Sequence, residues 1–324
     1  MTDIPEGKSR SYTNYPKGGI SLKKLLMVFV VVVFVFSAIA GFSPVRADAA
    51  DKITVGAKNF TEQYVVGEML ALLLEENGFK VTTKMGTGSS ITREALVSGQ
   101  SDLYPEYTGT AWLVYFGQDE VLTDPDLLYE KVKKMDLEEN NIVWLDRAPL
   151  NNTYALSIRK ADSDKYGTTI SDLAEYINEN PGEIRVGIDQ EFYARPDGFP
   201  ALARKYGMDV EKKSLKIMEI GLTYEAMGRD QLDVAMTFAT DGKIPKFDLL
   251  VLEDDKQFFP VYNLCPTIRK DVLDKHPEIA DIFRPVVEML DDETMQQLNY
   301  EVDVNGKPAK MVAEIFLKEH GFIE

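Results

Sequence analysis

KITVGAKNFTEQYVVGEMLALLLEENGF, residues 52–79, decides the architecture. A β-branched run carrying Ile53 and Val55 ends in a turn around Gly56 and Asn59. From Thr61 onward the apolar residues Val65, Val66, Met69, Leu70, Leu73 and Leu74 recur at helical spacing. Thr61 is the expected N-cap of that helix and Gly78 its stop. KVTTKMG (80–86) then reads as a second strand. SSITREALVSGQ (89–100) reads as a second helix, capped by Ser89 or Ser90 and stopped by Gly99. SDLYPEY (101–107) reads as a third strand. This order predicts βαβ units and a mainly parallel sheet covered by helices.

The pattern continues in the same style. TYALSIRK (153–160), EIRVGID (183–189), LKIMEIG (215–221), LDVAMTF (232–238) and FDLLVLEDD (247–255) read as strands. TISDLAEYI (169–177) and GFPALARKYG (198–207) read as helices between them, and the tail from Asp271 to Glu324 reads as helical. No internal repeat is strong enough to indicate duplication. The expected architecture is two α/β lobes around a cleft, residues 51–147 plus 254–324 forming one and 148–253 the other. Ligands of open α/β sheets sit at the carboxyl ends of strands. Here those ends carry AKNFTEQ, YPEYTGT, LNNTYA, FYARPDG, TFATDGK and FFPVYN.

Composition narrows the function. The 324-residue chain has a formal net charge of −17, which excludes nucleic acid as a partner. A single cysteine, Cys265, permits no intramolecular disulfide and no multi-cysteine metal site, and is expected to be a small buried filler. Only His276 and His320 are available to histidine chemistry, both near the C-terminus. The acids of LEDDKQ (252–257) lack calcium-loop spacing, so neither a metal nor a cofactor is expected.

Residues 1–50 are read as a signal peptide or membrane anchor. A basic stretch precedes the continuous apolar run LLMVFVVVVFVFSAIAGF (25–42), and Ala47-Asp48-Ala49 offers a small-x-small exit. That run is also long enough to span a bilayer, so an uncleaved anchor is the alternative. Either way, the rest of the chain is expected outside the cytoplasmic membrane. There it carries 30 Lys/Arg against 50 Asp/Glu, a net of −20.

The six strand-end segments in this order resemble those of the osmoprotectant-uptake substrate-binding proteins, the OpuAC-like glycine betaine, proline betaine and choline receptors of ABC importers. The likeness covers residues 52–324, and GLTYEAM…DVAMTFATDGKI…LEDDKQFFPVYN is its most specific part. It implies a two-lobed periplasmic-binding-protein fold of type II that closes on a quaternary ammonium compound and acts, as a monomer, with the importer's transmembrane subunits. A trimethylammonium group carries charge but no N–H, so a receptor holds it against the negative faces of aromatic rings. Matched segment by segment, the resemblance implies a cage of Tyr107, Tyr154, Phe238 and Tyr262, with phenylalanine where relatives often carry tyrosine. It implies that Lys58 and Arg195 hold a ligand carboxylate, with Thr110 adding a hydroxyl and Asn152 supporting the cage. These charges lean toward betaines over choline.

Tyr64, Tyr115, Tyr129, Tyr166, Tyr176 and Tyr206 are expected to pack or face solvent, and Phe192, Tyr193 and Tyr224 to lie behind the site. Arg195 has a bland alternative, pairing with Asp197 on the surface. Two rival functions remain. One is a receptor for a cationic amino acid or polyamine, which would have little use for Lys58 and Arg195. The other is an exported hydrolase using Glu106 with Asp241. Against the latter, the chain has no GxSxG elbow, no HExxH and no Gly-rich phosphate loop.

Overall fold

The structure is a computed structural model and describes residues 51–324. The signal or anchor reading of residues 1–50 lies outside the described residues. Two five-stranded sheets organise the chain. The first begins with β1 (Lys52–Lys58), α1 (Thr61–Glu76), β2 (Lys80–Thr87), α2 (Ser89–Val97) and β3 (Leu103–Tyr107). After α3 (Pro125–Asn140), β4 (Ile142–Trp144) ends this stretch. The second sheet is built from β5 (Tyr154–Arg159), α4 (Ile170–Glu179), β6 (Val186–Ile188), α5 (Gln190–Ala194) and α6 (Phe199–Tyr206). It continues through β7 (Leu215–Ile217), α7 (Ile220–Gly228), β8 (Val234–Phe238) and β9 (Leu249–Val251). The chain then returns through β10 (Leu264–Arg269) to the first sheet and closes with α8 (Glu278–Val287), α9 (Asp292–Asp303) and α10 (Ala309–Glu319). All three pack on α1.

The strand orders are β2-β1-β3-β10-β4 and β7-β6-β8-β5-β9. Both sheets are mixed, which corrects the expectation of mainly parallel sheets. In the first, β1 runs parallel to β2 and β3 while β10 runs antiparallel to β3 and β4. In the second, β6 runs parallel to β7 and β8 while β5 runs antiparallel to β8 and β9. In each sheet the interior antiparallel strand, β10 or β5, is the one the chain forms after crossing over. LCPTIR does not read as a central strand because a proline removes a ladder donor. It is accommodated because Pro266 and Pro105 form a non-hydrogen-bonded pair: Pro266 turns its backbone toward β4, where the Leu145 carbonyl accepts from the Tyr129 hydroxyl at 2.9 Å in place of the missing N–H. The Pro266 carbonyl still accepts from the Leu145 amide at 2.9 Å.

Two helix caps also differ from expectation. Phe60, not Thr61, takes the extended N-cap position of α1, and the Thr61 hydroxyl instead donates to Asp303 of α9 at 2.7 Å. At α2 the cap position is Gly88, with Ser89 the first helical residue. Thr169, by contrast, caps α4 through a full capping box with Asp172.

Beside the first sheet, the Arg93 guanidinium of α2 donates through both Nη atoms to the buried carboxylate of Asp136, which also accepts from Trp144 Nε1 at 2.7 Å. Removing one partner of a buried ion pair strands the other charge. Asp136→Ala should therefore destabilise the protein by about 3–5 kcal/mol, read as a lowered denaturation midpoint; a midpoint unchanged would show that water reaches Arg93.

Candidate functional site

Tyr154 and Phe238 are register partners in the β5–β8 ladder, so their rings leave the sheet end side by side, 4.9 Å apart. Tyr107 is the last residue of β3, where its partner is Leu264 of β10. Tyr262 precedes β10 by two residues and meets Tyr154 edge-on at 5.7 Å. The approach of Tyr262 depends on Gly109, where a Cβ would come within 2.7 Å of both that ring and the Val261 carbonyl. The structure thus brings the four rings to one cavity of about 40 Å³ together with Lys58, Arg195, Thr110 and Asn152. A larger open groove of about 670 Å³ lies by α9 and α10, and it gathers no comparable set of rings and cations.

Several lining residues were not singled out in the sequence. Phe60 stacks on Phe238 at 5.2 Å and on Tyr107 at 6.1 Å, joining the two sheets' contributions. Its place in AKNF, at a strand end, was a legible signal. Asp189, Glu191 and Glu219 also line the cavity. Their sign gave no signal in a chain this acidic. Phe192, expected behind the site, is fully buried and stacked on Tyr154 at 4.8 Å. Tyr115, expected to pack or face solvent, donates its hydroxyl to Glu106 at 2.8 Å. Tyr166 and Tyr206 are buried, in keeping with the packing expected of them.

Both basic side chains are buried and already paired. Lys58 Nζ lies 2.5 Å from Glu106 Oε1, and Glu106 also accepts from the Tyr104 hydroxyl and the Tyr107 amide. Arg195 makes a two-pronged pair with Asp197, at 2.8 and 2.6 Å, in the interior and not on the surface. Asp197 also accepts from the Tyr262 hydroxyl at 2.5 Å. Each cation lies over a ring, Lys58 Nζ 5.1 Å from the Tyr107 centroid and Arg195 Cζ 5.1 Å from that of Tyr154. Glu191 spans the cavity, one oxygen 3.4 Å from the Ser89 amide at the start of α2, the other 3.4 Å from Arg195 Nη1. Burial works to raise the Glu191 carboxyl, but the charge of Lys58 and the Ser89 hydrogen bond outweigh it and hold the carboxyl below the usual range.

Behind the cavity, the Glu62 carboxylate accepts from the hydroxyls of Tyr107 and Thr240 and from the amides of Asn152 and Asn299. Asn152 thus supports Tyr107 through Glu62. Glu106 and Asp241, the acid–base pair of the hydrolase alternative, share no partner. Glu106 serves Lys58, whereas Asp241 accepts from the Tyr224 hydroxyl and the Phe238 amide.

The sequence matches, over residues 51–319, the OpuAC family, the substrate binding domain of ABC-type glycine betaine transport systems. The chain belongs to this family. It is a substrate-binding protein of an ABC importer for solutes of the glycine betaine type, and proteins of this family work outside the cytoplasm. It is 39% identical over 293 residues to the glycine-betaine-binding protein of Pseudomonas aeruginosa, covering 89% of this chain and 94% of the relative. The carnitine transport binding protein OpuCC of Listeria monocytogenes is 33% identical, with 93% of this chain and 98% of the relative aligned. The solved structure of apo YehZ from Escherichia coli superposes with a TM-score of 0.63 at 33% identity, over 84% of this chain and all of that one. The two-lobed periplasmic-binding-protein fold follows from this likeness. Among the described residues no helix is long and apolar enough to cross a membrane.

Burial pushes the Asp241 carboxyl up to about 7, from an ordinary 3.8. A carboxyl with a raised folded-state pKa holds its proton more tightly when folded, so it favours folding in acid. That contribution is lost as pH climbs from about 4 to about 7. Asp241→Asn should flatten the fall in melting temperature across this window; an unchanged slope would place the titration elsewhere.

Proposed function

We propose that this protein captures a betaine, glycine betaine or proline betaine ahead of choline, and delivers it to the transmembrane subunits of its importer in osmoprotection. It acts as a monomer exported through residues 1–50. The observation that carries this reading is the convergence of Tyr107, Tyr154, Phe238 and Tyr262 with Lys58 and Arg195 on one cavity. Phe60 adds a further ring.

Each ring facing a quaternary ammonium contributes roughly 1 kcal/mol, and up to about 2 when desolvated, so the cage supplies about 4 kcal/mol. A micromolar site needs about 8 kcal/mol. The remainder falls to the carboxylate end and to closure. At that end Thr110 offers a hydroxyl, and Glu191 holds the contacts with Ser89 and Arg195 that a ligand carboxylate would take over. The cavity of about 40 Å³ is far below the ~300–1,000 Å³ of ordinary ligand sites, so entry requires the lobes to part. The lobes divide near residues 148 and 254, and the ligand stabilises the closed form by its differential affinity.

Calorimetric titration of residues 51–324 with glycine betaine, proline betaine, choline and arginine tests the reading. Micromolar betaine binding with weaker choline supports it; a response to arginine alone favours the cationic amino-acid receptor. Tyr154→Ala should cost about 1–2 kcal/mol of betaine affinity. Arg195→Ala should weaken glycine betaine much more than choline, and equal losses would remove Arg195 from the carboxylate end.

A further inference from the structure

Glu62 sits in the first turn of α1 and is 2% exposed, yet it does not line the cavity. Its four hydrogen-bond donors are all uncharged: Tyr107 at 2.7 Å, Asn152 at 3.0 Å, Thr240 at 2.6 Å and Asn299 at 3.5 Å. Among the described residues no cation pairs with it. The other buried acids of the site differ, since Glu106 is matched by Lys58 and Asp197 by Arg195. Taking an ion out of water costs several kcal/mol, which neutral donors repay only in part. Burial accordingly raises the Glu62 carboxyl against the hydrogen bonds that lower it. A fold bears such a cost where the charge is used.

We propose that Glu62 is the anionic partner of the ligand's cation, a positioning residue that acts through Tyr107 and sets the preference of the site for positive charge. The proposal rests on the quaternary ammonium reading above. A phenol that donates its proton toward a carboxylate gains electron density on its ring, and hydrogen-bond chains in a low-dielectric interior strengthen one another. The ring's negative face, which a quaternary ammonium meets, deepens accordingly. The Glu62 bond also fixes the ring's orientation. Tyr262 is held in the same way by Asp197, but that carboxylate is shared with Arg195, so its charge is already answered. Of the three buried acids of the site, Glu106, Asp197 and Glu62, it is Glu62 that has no cation beside it among the described residues, and its bond to Thr240, just beyond β8, requires the second sheet to be in place.

The test is calorimetry with glycine betaine and with tetramethylammonium, which has the cation but no carboxylate, on wild type, Glu62→Gln, Tyr107→Phe and the double variant. Ligand-free melting temperatures are measured alongside. Glu62→Gln should lower affinity for both ligands by the same factor, about tenfold, the scale of a coupled pair. Its ligand-free melting temperature should hold or rise, because an unpaired buried charge is gone. The double variant should bind no more weakly than the weaker single variant. Unchanged affinity in Glu62→Gln would overturn the inference. So would a loss accompanied by a fallen ligand-free melting temperature or failure to fold, which would make Glu62 a structural anchor. Wild-type protein that binds neither ligand would instead remove the functional reading on which the inference rests.

Discussion

A charge taken out of water must be met by another charge or by hydrogen bonds, and the strand ends of this protein are built under that constraint. Lys58 at the end of β1 and Glu106 near the end of β3 form a pair at 2.5 Å that joins neighbouring strands of the first sheet. Arg195 and Asp197 form the counterpart beside the second. Neither pair stands alone. Tyrosine hydroxyls complete both carboxylates, Tyr104 and Tyr115 on Glu106 and Tyr262 on Asp197. Aromatic residues and ionised groups therefore occupy the same layer, and the placement of one sets the other.

This arrangement suits a solute with charge and no hydrogens to donate. Rings supply a negative face without needing a donor, and the acids behind them supply the field. The cations are not lone clamps waiting for a carboxylate. Each is already neutralised by an acid and lies over a ring, and Arg195 also meets Glu191.

Much of this was legible from the sequence, for identifiable reasons. Residues 61–76 show their helix because its buried face repeats at helical spacing. The eight candidate residues that line one cavity were legible because strand ends carry turn formers beside aromatic and basic residues, and because the segments resemble a known family. β10 was missed because Pro266 argues against a central strand when read alone; in the sheet its missing N–H faces β4, where the distant Tyr129 hydroxyl serves the Leu145 carbonyl instead. The N-cap of α1 was misplaced by one residue because the Thr61 hydroxyl is taken by Asp303, 242 positions away.

By itself, the sequence determined the alternation of strands and helices, the crossing of the chain between two α/β units, and the residue types able to hold a quaternary cation. Those properties are local: they follow from periodicity, turn chemistry and side-chain type within a few residues. The tertiary structure alone decided which charges are spent and which are free. It paired Lys58 with Glu106 across strands, buried Arg195 on Asp197, and left Glu62 with four neutral donors drawn from residues 107 to 299. Pairing is a matter of distance in three dimensions and of exclusion from water, and neither is written in the spacing of residues along the chain.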